Sequence, residues 1–141
     1  MFETVVVGTD GSETATIAVR EAAELAKAHG GTLHVVSSYR PASSRTVAAG
    51  SEQWQIMPAD RVDAVLEEAA ALGRVLGVAV EVHSTRSDPA AAIVRVAKEV
   101  GAGVVVVGNK GLKGAKRFLL GSVPAKVAQE APCAVLIVKT S

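Results

Sequence analysis

The sequence predicts an α/β protein built on an open parallel sheet with helices on both faces. Three observations predict it. Five short runs rich in β-branched residues, Thr4–Val7, Thr32–Ser37, Ala79–His83, Gly103–Val107 and Ala134–Lys139, punctuate the chain. Segments with helical periodicity separate them, and strands alternating with helices imply right-handed crossovers between parallel neighbours. Val104–Val107 is apolar at every position, as expected of a central strand covered on both faces.

Each element has its own signal. After the first strand, Ala15, Ala18, Ala22, Leu25 and Ala26 form one stripe, with Glu13, Arg20, Glu24 and Lys27 elsewhere. Ser12 precedes that helix as a cap, and Gly30-Gly31 supplies its stop. The stretch from Tyr39 to Met57, containing Trp54, reads as a long irregular connection, either a functional lid or disorder. Val62, Val65, Leu66, Ala69 and Leu72 then form a second helical stripe. Asp88-Pro89 reads as cap and first residue of a third helix running to Val100. Ser122 reads as the cap of a fourth, from about Val123 to Glu130, which Pro132 ends.

Composition narrows the function. The 141 residues suit one domain, 1–141, large enough to need no disulfide or metal staple. A net charge of +1 disfavours bulk attraction to nucleic acid or membrane, so any anion site must be local. Cys133 is the lone cysteine, which excludes an internal disulfide and a thiolate metal cluster. The opening MFETVVVGTDG enters a strand without a basic leader, and no apolar run approaches a membrane span. The expectation is a cytoplasmic protein.

In a doubly wound sheet, ligands bind beyond the carboxyl ends of the strands where the strand order reverses. If the first three strands wind one way and the last two the other, two loops face each other there. They are Gly8-Thr9-Asp10-Gly11-Ser12 and the segment beginning Gly108-Asn109-Lys110-Gly111. Glycine at 108 and 111 lets the backbone approach a ligand closely, and Gly121-Ser122 opens a helix whose N–H groups favour phosphate. Lys110, Lys113, Lys116 and Arg117 add positive charge with no acid between them. Together they would cradle a polyphosphate.

Other chemistries find little support. The chain has no G-x4-G-K-S/T P-loop, no paired-glycine dinucleotide fingerprint and no SGG-x-DS pyrophosphatase pattern. Of the three histidines, only His83 is placed near the crevice. His29 and His34 read as structural, and nothing suggests a Ser-His-Asp arrangement.

The G-x2-G-x9-G-S/T pattern of Gly108, Gly111, Gly121 and Ser122 resembles that of the universal stress protein family. The opening VVVGTDGS, the LHVV of the second strand and the closing GSVPAKVAQEAPCAVLIVK resemble it too. The resemblance implies a sheet in the order 3-2-1-4-5, a dimer and a role in stress survival. It also implies ATP binding, with Mg²⁺ held through the phosphates, or cyclic AMP in some members. Asp10 would meet the ribose or phosphates, and Val36 would offer backbone groups to the adenine. Gly108 would lie against the ribose, while Gly111, Gly121, Ser122 and the Val123 amide would hold phosphates. In that order the last strand lies at an edge, apolar and without blocking charges, suited to pairing with a second copy.

The expectation is a dimeric ATP-binding regulatory module with little or no turnover. Three alternatives stand beside it: a cyclic AMP sensor or sink, a slow ATPase or autokinase, and a nucleotide-free interaction module.

Overall fold

The computed structural model describes residues 1–40, 57–109 and 120–140. The elements run β1 (Thr4–Gly8), α1 (Glu13–Ala28), β2 (Thr32–Arg40), β3 (Met57–Pro58) and α2 (Ala59–Val75), then β4 (Ala79–Thr85), α3 (Pro89–Val100), β5 (Val104–Gly108), α4 (Ser122–Glu130) and β6 (Ala134–Val138). In the sheet, β2 lies between β1 and β4, β1 also pairs β5, and β5 pairs β6, every pair parallel. Counting the five expected strands alone, this is the order 3-2-1-4-5. The chain also adds β3, two residues that pair Tyr39 and Arg40 at the far end of β2. Tyr39, Arg40 and Met57 are therefore strand residues rather than parts of an irregular connection, and positions 41–56 lie outside the described residues.

The alternation of side chains along each strand divides the core in two. Val5, Val7, Leu33, Val35, Val104 and Val106 face α1 and α2. Val6, Val36, Val105 and Val107 face α3 and α4. Every residue of Val104–Val107 is buried, as its uniform composition predicts. On α1, Ala18, Ala22, Ala23 and Ala26 are each no more than 1% exposed, so small side chains seat this helix close against the sheet. Each fully buried Val or Leu contributes about 1.5–3 kcal/mol relative to exposure.

The helix ends follow local chemistry. Ser12 Oγ accepts from Ala15 N–H, and Asp88 caps α3 by accepting from Ala91 N–H with Pro89 in the first turn. Beyond α1, Gly30 adopts φ +64°, its N–H reaching Lys27 O while Gly31 N–H reaches Ala26 O. This paired bonding satisfies the last carbonyls of the helix. Ser122 is a correction. The cap of α4 is Gly121, in extended conformation, and Ser122 is the first helical residue, with no side chain among the described residues capping the helix. No helix among the described residues is long and apolar enough to cross a membrane.

Candidate functional site

The ends of β1 and β5 open into a crevice at the point where the strand order reverses. Gly8, Asp10 and Ser12 line it from the β1 loop, and Val107 and Gly108 line it from β5. Val123 and Pro124 close one side from the start of α4, with Ile93 of α3 beneath. A Cβ on Gly8 would overlap Ile93 Cδ1, which would have to shift at the base of the crevice. A Cβ on Gly108 would come 3.2 Å from Thr140 Cγ2.

Hydrogen bonds tie down the β1 loop. Thr9 N–H donates to Val36 O at 2.9 Å, and Ser37 Oγ donates to Thr9 O at 2.7 Å in a buried bond. Gly11 N–H donates to Thr9 Oγ1, and Ser12 N–H donates to Asp10 Oδ1 at 2.9 Å. One oxygen of Asp10 therefore shapes the turn that leads into α1. The half-exposed carboxylate still lines the crevice.

The opposite wall is held by Asn109. Its N–H donates to Val138 O, its carbonyl accepts from Gly121 N–H at 3.1 Å, and its Oδ1 accepts from Thr140 N–H at 2.8 Å and Thr140 Oγ1 at 3.0 Å. The ends of β5 and β6 and the start of α4 thus meet on one side chain and its backbone. At α4, neither Ser122 nor Val123 donates its backbone N–H to a described residue, and the first turn contains no acid. These are the helix donors that, with the dipole, favour an anion.

The structure brings Asp10, Gly108 and Val123 to one crevice, whereas the buried Gly121 and the exposed Ser122 just before Val123 do not line it. Val36 does not line it. It is 1% exposed, its side chain packs in the core, and its carbonyl is engaged by Thr9. Gly111, Lys110, Lys113, Lys116 and Arg117 lie outside the described residues. Sequence reasoning missed Asn109, Ser37 and Thr140 as supports. The partner of Asn109's side chain, Thr140, lies 31 residues away, and no spacing rule points to it.

His83 is a second correction. It does not line the crevice; its Nε2 lies 3.0 Å from His34 Nδ1 on the neighbouring strand. Burial pushes the pKa of His34 below its ordinary value, nearby Glu81 raises it and His83 lowers it further, so burial dominates. Burial also pushes the Cys133 thiol up, and its packing against the α3–α4 core gives it no activated character.

Comparison with known proteins converges. The sequence model of the universal stress protein family matches residues 1–139. A universal stress protein of Mycobacterium tuberculosis strain H37Rv is 37% identical over 144 aligned residues, covering 99% of this chain and 98% of the relative. The crystal structure of a universal stress protein in complex with cAMP is similar with a TM-score of 0.78 at 36% identity, covering 99% of this chain and 98% of that one. The universal stress protein from Archaeoglobus fulgidus in complex with dAMP gives a TM-score of 0.71 at 28% identity, covering 99% and 100%. By this match over nearly its whole length, the chain belongs to the universal stress protein family.

Proposed function

We propose that the crevice between β1 and β5 binds an adenine nucleotide, with ATP·Mg²⁺ as its ligand, and that the protein acts as a cytoplasmic dimeric regulatory module with little or no turnover. In this reading residues 1–141 form one nucleotide-binding unit. The observation that carries it is the uncapped start of α4 facing the same crevice as Asp10. Ser12 and Asp88 each cap the helix they precede, at Glu13 and Pro89, by accepting one backbone N–H, and no described side chain does so for α4. A phosphate placed there gains two backbone donors and the helix dipole, which contributes about 0.3–1 kcal/mol at an exposed site and about 2 kcal/mol when partly buried. Gly121 and Ser122 frame that turn. Gly108 would lie against the ribose, and Gly111 would complete the phosphate loop. Magnesium would be held chiefly by phosphate oxygens, with Asp10 within reach through water.

Low turnover fits a crevice whose described lining offers one carboxylate and no histidine beside it. A kcat near the common enzyme value of about 10 s⁻¹ would refute this part of the proposal. The dimer rests on β6, which pairs only β5 among the described strands and exposes Leu136 and Ile137. A second reading, a cyclic AMP sensor, is favoured by the similar protein whose structure is in complex with cAMP.

Calorimetric titration of nucleotide-stripped protein with ATP·Mg²⁺ and then cyclic AMP tests both. Gly121→Asp is the control, because aspartate is a preferred cap and its carboxylate would occupy the α4 donors itself. Saturable binding of ATP by the wild type, weakened at least about tenfold in a variant with an intact melting transition, is expected. Tighter binding of cyclic AMP transfers the site to the second reading. No binding of either nucleotide overturns the proposal.

A further inference from the structure

On the far side of β2 from the crevice, three potential ligands share one face at the edge of the sheet. The parallel register sets His34 of β2 opposite Glu81 of β4, and Val36 opposite His83. Glu81 and His83, two residues apart on one strand, therefore project to the same face, and His34 projects there beside them. His34 Nδ1 lies 3.0 Å from His83 Nε2 and 3.8 Å from Glu81 Oε1, and the three ligand atoms all lie within 4.8 Å of one another. We propose that His34, Glu81 and His83 form a binding site for a divalent transition-metal ion of the zinc type.

The donor set points to this class. Two imidazole nitrogens and one carboxylate oxygen suit Zn²⁺ and its borderline neighbours, whereas Mg²⁺ and Ca²⁺ take oxygen ligands. Tetrahedral bonds of about 2.0–2.1 Å put ligand atoms ~3.3 Å apart, a value the 3.0 and 3.8 Å separations bracket. His34 is only 6% exposed, and its ring lies against that of His83. His83 is half-buried, and the exposed Glu81 side chain is free to rotate and close the triangle. Among the described strands β4 pairs only β2, so the cluster lies at the sheet edge, with Glu81 exposed there.

A histidine–histidine hydrogen bond accounts for the 3.0 Å contact: one ring donates and the other accepts. Ligation requires a lone pair on both nitrogens. The donating ring therefore changes tautomer on binding, its proton moving to its other nitrogen with no net release. This site is separate from the nucleotide crevice, which none of the three residues lines, and it stands whether or not that crevice binds nucleotide.

The test is titration of tag-free, chelator-treated protein with Co²⁺, followed by visible absorption, then competition with Zn²⁺. Expected is one equivalent per chain, with the d–d bands of a low-coordinate ion, displaced by Zn²⁺. His83→Ala should weaken binding by about 100-fold or more, and Glu81→Gln by about tenfold. Glu81 is exposed, so its variant reads the site without touching the core. His29→Gln, at the end of α1, should bind as the wild type does. Nitrogen NMR of the imidazoles should show the tautomer change on adding Zn²⁺. Absence of stoichiometric Co²⁺ binding, or equal affinity in wild type and both site variants, overturns the proposal.

Discussion

Asn109 follows a glycine and precedes a basic stretch, and its local context signals only a turn. Its Oδ1 nevertheless accepts two hydrogen bonds from Thr140, 31 residues away, while its backbone ties Val138 and Gly121. Asn109→Ala leaves the partly buried Thr140 donors unmatched and should cost about 1–3 kcal/mol, read as a lowered denaturant midpoint. The same variant should weaken nucleotide binding, because the end of β5 beside Gly108 loses its tie to Thr140 while the backbone bond to Gly121 stays. Unchanged stability would mean that the backbone bonds alone hold the wall. Asp10 is the contrasting case. Its type and place pointed to the site from sequence alone, and the structure adds that Oδ1 also builds the turn to Ser12.

At the scale of elements, the turn from α1 to β2 separates two uses of glycine. Gly30 needs its positive φ of +64° and has open space around its Cα, so Gly30→Ala should cost about 1–2 kcal/mol of backbone strain. A methyl on Gly31 would overlap the Glu3 carbonyl, which accepts from Thr32 N–H at 2.9 Å where β2 joins β1. Gly31→Ala should therefore destabilise by more than about 3 kcal/mol. Equal losses in chemical denaturation of the two variants would contradict this distinction. The glycine pair was legible as a stop, and so were the α3 cap and the buried Val104–Val107 strand, because each is encoded within a few residues. The cap of α4 was misplaced by one position, since Gly121 and Ser122 both suit a helix start and only backbone angles decide. The length of β2 was also underestimated. Ser37 and Ser38 look like a strand end, yet both are buried and the strand continues to Arg40.

At the scale of the whole molecule, periodicity specified the alternation of strands and helices, and the resemblance to a family supplied the sheet order. Neither specified register. The approach of His34 to His83 across 49 residues depends on how β4 slides along β2, which no local pattern encodes. A one-residue slip would turn His83 and Glu81 to the other face. The proposed dimer belongs to this scale as well. Leu136, 42% exposed, and Ile137, 39% exposed, sit on an edge strand with no charge within Ala134–Val138. Leu136→Lys should block edge pairing and leave a folded monomer at concentrations where the wild type sediments as a dimer. A wild type that is monomeric at micromolar concentration would remove the dimer.

The central claim is that the β1–β5 crevice holds the nucleotide. Amide chemical-shift mapping of nucleotide-stripped protein during titration with ATP·Mg²⁺ tests it most directly. Saturable shifts are expected at Gly8, Asp10, Gly108, Ser122 and Val123, with the remote α1–β2 turn at Gly30 unmoved. Shifts confined to other surfaces, or no saturable shifts at all, would contradict it.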